Sequence, residues 1–206
     1  MVVFELQYFP PISFFSTLYK ETYFYLDTYE VYRKMSFRNR CLIAGAQGIV
    51  SLSVPLLKGR NQQLPLNEVR ISDAEKWQSR HFKSIRSAYN RSPFFDFYQD
   101  ELAALYHRPF ERLADWNIYC LEWVKEKLPW QTGIRYTDSA VPYLSNGFTD
   151  WRNLVLPKNY TEWKPVKYRQ VFEERTGFFP NLSILDLLFN CGPRSFELLS
   201  NSNERV

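Results

Sequence analysis

The first twenty-seven residues constrain the fold most. An apolar, partly β-branched run over residues 2–7 is cut off at Tyr8-Phe9-Pro10-Pro11. Two consecutive prolines there remove ladder donors and hold the backbone extended. A second strand-forming run, Tyr23–Asp27, follows. The interval is too long for a tight hairpin, and its residues 14–20 can coil behind Ser13 as an N-cap. Parallel strands need such a crossover, so this order predicts a βαβ start with a parallel pair.

The rest of the chain completes an α/β fold class. Residues 40–44 and 49–55 are β-rich and flank Gly45-Ala46-Gln47-Gly48, a hairpin signal because glycine accepts positive φ. The sheet is therefore expected to be mixed, with a hairpin in it. Residues 69–71 read as a short further strand, and Ser72 or Asp73 can cap the helix after it. From residue 75 onward the pattern turns mainly helical. Trp77, His81, Ile85 and Ala88 follow steps of three and four, which places them on one face. Further helices are expected over 94–105, 110–128 and 181–192. The third of these ends at Gly192-Pro193, a glycine stop followed by a residue that cannot continue a helix. A last helical turn or two covers 195–199, 133–137 reads as a strand, and 149–168 as a long packed loop. At 206 residues, one domain over 1–206 is expected.

Composition excludes several function classes. The 14 Tyr, 17 Phe and 6 Trp among 206 residues suit a core, or a pocket, built from rings. Disorder is expected only at the extreme C-terminus. The net charge of +4 is spread among acids and bases without a dense basic stripe, so nucleic acid is not the expected partner. The longest basic patch holds Arg80, Lys83, Arg86 and Arg91, with Arg80, Lys83 and Arg91 on one side of a helix. It is either a solvated face or a seat for an anion such as phosphate. Cys41, Cys120 and Cys191 form no CxxC pair, so neither a zinc knuckle nor a disulfide framework is expected. The two histidines form no HExxH, and no metal site is expected. GxGxxG, GxxxxGK[ST] and GxSxG are all missing, which disfavours common dinucleotide oxidoreductases, P-loop enzymes and α/β-hydrolases. The first residues lack the basic start and long apolar run of a signal peptide. No stretch approaches the roughly 20 apolar residues that span a bilayer. A cytoplasmic location without an integral membrane segment is the expectation. Neither a cofactor nor an oligomeric state is assigned by the sequence.

The candidate site gathers near the ends of the first two strands, where open α/β sheets bind ligands. Lys34-Met35-Ser36-Phe37-Arg38-Asn39-Arg40 packs three cations, a hydroxyl and an amide into one segment. It can hold a carboxylate or phosphate, or form a structural ion-pair loop around Asp27 and Glu30. His81, on the inward face beside Trp77, is either a satisfied core residue or the best general base available. Cys41 follows two arginines that could lower its pKa, or it is simply buried.

These residues carry a family resemblance. Tyr8-Phe9-Pro10-Pro11, the run from Phe37-Arg38-Asn39-Arg40-Cys41 to Gly45, Leu52-Ser53-Val54-Pro55 and Trp77 with His81 make the first half similar to the WbqC-like family, in its Bacteroides-type form. Ser87-Ala88-Tyr89, Ser92-Pro93-Phe94-Phe95, Asp115 with Asn117, and Asn181-Leu182-Ser183-Ile184-Leu185-Asp186-Leu187-Leu188-Phe189-Asn190 extend the match over nearly the whole chain. The family's widespread form opens on a glutamine-proline-x-tyrosine-leucine-proline pattern, from which Gln7-Tyr8-Phe9-Pro10-Pro11 departs. The resemblance implies a transferase or amide ligase that attaches a small acyl or aminoacyl group, glycyl among them, to an amino sugar in surface polysaccharide synthesis. On that reading Lys34 and Arg40 hold an anionic small-molecule donor. Asn39 orients a carbonyl, His81 removes a proton, and Asp27 orients His81 or the acceptor. Tyr8, Trp77, Tyr89 and Asn117 complete the substrate-binding set. The alternative is a binding module or scaffold without chemistry of its own.

Overall fold

The computed structural model describes residues 1–140, 147 and 149–201. The expected disorder at the extreme C-terminus falls on 202–206, outside the described residues. Strand β1 (Val2–Glu5) is buried along its whole length, as a central parallel strand must be. It runs parallel to β2 (Tyr23–Asp27) in a register that pairs Glu5 with Asp27. The crossover between them is α1 (Ile12–Leu18). Strands β5 (Gly133–Tyr136) and β6 (Thr149–Asp150) extend the sheet in the order β5-β2-β1-β6, every pair parallel. Strands β3 (Arg40–Gly45) and β4 (Gly48–Ser53) form the antiparallel hairpin, which makes a two-stranded sheet of its own.

Most helices follow the hairpin: α2 (Trp77–Tyr89), α3 (Phe95–His107), α4 (Leu113–Lys127), α5 (Glu173–Thr176), α6 (Ile184–Cys191) and α7 (Ser195–Ser200), the last four of them in the C-terminal half. The face of α2 predicted by spacing is the one that is buried, with Trp77, His81, Ile85 and Ala88 all inward. Leu113, Asn117, Cys120, Leu121 and Val124 are likewise buried on α4. Rings fill the interior. Phe4 meets Phe14 edge-on at 4.8 Å, and Trp130 stacks on Phe24 at 5.7 Å. Among the described residues no helix is long and apolar enough to cross a membrane.

Four local expectations are corrected. Helix α1 starts at Ile12, so Ser13 lies inside its first turn and caps nothing. Tertiary contact starts it instead: Ile12 N donates to Leu182 O, and Ile184 N to Pro10 O. Helix α2 starts behind Lys76, with no side-chain cap from Ser72 or Asp73. Residues 66–68 form a single 3₁₀ turn, and the chain after it makes isolated bridges at Arg70 and Ile71 instead of a strand. The stretch read as a loop from 149 contains β6, whose Thr149 and Asp150 find ladder partners in Val2 and Val3.

Candidate functional site

The carboxyl ends of β1 and β2 carry acids. Glu5 and Asp27 are both fully buried there, and a buried charge must be paired. Arg152 pairs with Asp27, Arg38 with the neighbouring Glu30, and Glu5 accepts from two amides. Arg38 grips Glu30 with two parallel bonds, Nε to Oε1 at 2.8 Å and Nη2 to Oε2 at 2.6 Å, and also donates to Asn153 Oδ1. Arg152 Nη1 donates to Asp27 Oδ2 at 2.5 Å, while its Nε and Nη2 hold Asp150. Asn153 adopts a left-handed backbone (φ 62°), which aims its N–H at Glu5 Oε2. Gln7 donates to the other Glu5 oxygen at 2.7 Å. Burial pushes the Glu30 carboxyl up, against the pull of Arg38. The result is a cage over the strand ends in which Glu5, Asp27, Glu30 and Asp150 all accept from the protein's own donors.

A second cluster lies behind α2. His81 Nδ1 accepts from the Tyr8 hydroxyl at 3.0 Å, and that hydroxyl also meets Tyr106 Oη at 2.5 Å. Trp77 lies edge-on to the His81 ring at 5.2 Å. Burial drives the His81 pKa down to about 4, partly opposed by a hydrogen bond to the Ser53 backbone, so the imidazole is neutral near pH 7. Asn39 donates to the next carbonyl, Val54 O, and accepts from Tyr32. Asn117 donates to Arg38 O. The structure thus brings Tyr8, Trp77, His81, Asn39 and Asn117 around residues 37–41 and 53–54, all buried.

The other sequence candidates lie apart. Asp27 belongs to the cage, with Arg152, Thr137 and the backbone of Tyr29 and Glu30 as its partners. Arg40 opens β3 opposite Ser53, with Nε buried and unbonded. Lys34 is exposed and donates to Asn61. Cys41 is buried, and burial raises its thiol pKa.

Tyr89 joins a third cluster. Its hydroxyl donates to Asp186 Oδ1 at 2.7 Å and accepts from Ala44 N at 3.1 Å. Asp186 is fully buried, and Tyr168 Oη and Gln170 Nε2 also donate to it. Burial raises its pKa while these three donors oppose the rise. One carboxylate on α6 therefore ties down the hairpin, the end of α2 and residues 168–170.

The hairpin, α2 and Phe172, just beyond residues 168–170, wall an open cleft of about 620 Å³. Gly45, Ala46 and Val50 of the hairpin form one side, Phe172 another, and the outward face of α2 the floor, with Lys76, Arg80, Lys83, Ser84 and Ser87. Among the described residues no carboxylate lines it. Arg80 has an ion-pair partner at the rim, Glu75 at 2.6 Å, with both side chains more than half exposed. Lys76 and Lys83 have none among the described residues. The sequence marked Arg80 and Lys83 as a possible anion seat, but nothing local told that the hairpin would face them. Among the described residues no group of three or more His, Cys, Asp or Glu could hold a metal ion.

Against this geometry, the sequence model of the WbqC-like protein family matches the chain over residues 7–151 and 140–198. Neither a curated relative nor a solved structure matches it at a significant level.

Proposed function

Since the chain belongs to the WbqC-like protein family, we propose that it serves surface polysaccharide synthesis as a cytoplasmic transferase or amide ligase, placing a small acyl or aminoacyl group on an amino sugar. The observation that carries this reading is the carboxylate-free cleft over α2, whose Lys76, Arg80 and Lys83 suit the anionic leaving group of an activated donor. Ser84 and Ser87 offer hydroxyls to the same ligand. In the transfer, the amine nitrogen bonds to the acyl carbon, the bond from that carbon to the phosphate oxygen breaks with its electron pair, and the amine proton leaves to water. The cations stabilise charge on the departing phosphate. Tyr8, Trp77, His81, Asn39 and Asn117 act from behind this surface by holding α2 against the end of β4, and Asp27 by closing the cage. Tyr89 positions the cleft wall at Ala44.

A second reading, a binding module without turnover, draws on a specific observation. Among the described residues the cleft lining contains neither histidine nor carboxylate, the side chains that most readily take a proton near pH 7. One panel separates the two. Melting is followed with ATP and magnesium, acyl-CoA, nucleotide-linked amino sugars and inorganic pyrophosphate, then product is sought by mass spectrometry with any ligand that binds. A ligand at about 100 times its Kd adds roughly 2.7 kcal/mol. Stabilisation that disappears in Lys83→Ala, together with an acylated amino sugar, supports the transferase. Binding without product supports the module. Stabilisation that survives Lys76→Ala and Lys83→Ala alike removes the cleft from both.

A further inference from the structure

The basic patch around α2 does not all open into one depression. Arg80 and Lys83 line the large cleft, but Arg91, just beyond the helix, lines a second cleft of about 440 Å³. Its other walls are Pro93, Arg169, Gln170, Val171 and Asn190. Phe172 borders both clefts and so stands as the partition between them. Lys83 and Arg91 are eight residues apart, roughly 12 Å at 1.5 Å per residue. Their side chains line separate clefts, on either side of Phe172.

The lining of the second cleft has its own chemistry. Arg91 is exposed, and among the described residues it has no ion-pair partner and no carboxylate lines the cleft. Arg169 pairs at the rim with Glu174, both side chains more than four-fifths exposed, an arrangement that a better-placed carboxylate can displace. Gln170 is not free to turn away. Its Oε1 accepts from Phe179 N, and its Nε2 donates to Asp186. Asn190 is held by its bond to Asp186 O. Two guanidinium forks suit a planar carboxylate, and Asn190, whose Nδ2 is engaged with Asp186 O, turns its Oδ1 to a sugar hydroxyl.

We propose that this second cleft is the acceptor site and takes an amino sugar that also bears a carboxylate, so that Phe172 separates acceptor from donor. The acceptor role rests on the reading of the α2 cleft as donor site, whereas the binding of an acidic sugar does not. The test is calorimetric titration of the full chain with D-glucuronate, with D-glucose as the neutral control and inorganic pyrophosphate as the probe of the first cleft. Saturable glucuronate binding is expected, at least tenfold tighter than glucose. It should weaken tenfold or more in Arg91→Ala and Arg91→Glu and stay unchanged in Lys83→Ala, while pyrophosphate binding shows the reverse pattern. Because Arg91 is exposed, both variants should keep the wild-type melting temperature. Glucuronate binding that ignores Arg91, follows Lys83, or equals that of glucose overturns the proposal. Arg91-dependent glucuronate binding without any pyrophosphate binding supports the acidic-sugar site and overturns the donor reading alone.

Discussion

Acidification provides a quantitative test of the cluster behind α2. His81 is only 2% exposed, its Nδ1 already accepts from Tyr8, and Trp77 and Tyr106 enclose the ring. Its pKa falls from 6.5 to about 4 because burial penalises the imidazolium. The unfolded chain therefore binds this proton first as pH drops. The stabilisation associated with the neutral ring is complete above pH 6.5, is lost between 6.5 and about 4, and changes no further below. At roughly 1.4 kcal/mol per pH decade the loss comes to about 3 kcal/mol. Glu30 and Asp186 act in the opposite sense. Burial raises both carboxyls, so their contribution grows as pH falls. A His81→Gln variant retains those groups, and its difference from wild type isolates the histidine. Urea unfolding followed by tryptophan fluorescence at intervals from pH 7.5 to 4 should show that difference shrinking by about 3 kcal/mol on acidification. A difference constant to within about 0.5 kcal/mol across the range would refute the argument that His81 is buried neutral.

Other perturbations have separate signatures. Tyr89→Phe leaves the buried Ala44 N–H unsatisfied and removes one donor from Asp186. It should cost about 3–4 kcal/mol in urea unfolding, and Tyr168→Phe, which removes a donor only, about half as much. Arg38→Met strands the Glu30 carboxyl and should cost about 3–5 kcal/mol, most of it recovered when Glu30→Leu is added. If the double variant is as unstable as the single, the ion pair is not what the cage requires. Gly192 has φ 54°, and a Cβ there would stand 2.4 Å from the Phe94 ring. Gly192→Ala should cost about 3 kcal/mol by thermal unfolding, with partial rescue by Phe94→Leu.

What the sequence determined by itself is everything that depends on neighbours along the chain. The apolar run over residues 2–7 announced β1, Gly45 and Gly48 bracketed the hairpin turn, and steps of three and four chose the buried faces of α2 and α4. The family resemblance was legible too, because its motifs are contiguous. Tertiary structure decided which charges meet. Arg152 and Asn153 lie about 150 residues from Glu5, and no local period announces that their short segment pairs with β1. Glu5 lay inside the strand-forming run over residues 2–7, and its burial became tolerable only with Asn153 and Gln7 in place. Asp186 likewise fell within an apolar helix, and only the fold shows Tyr89, Tyr168 and Gln170 converging on it. The cleft belongs to the same class. Its cations were visible on one side of a helix, but a concave surface requires a second wall, and the hairpin stands there because a buried carboxylate on α6 holds it through Tyr89. Backbone preference acts over a few residues and can be read in order. Burying a charge demands a partner without specifying where in the chain that partner lies, so only the folded chain could supply it.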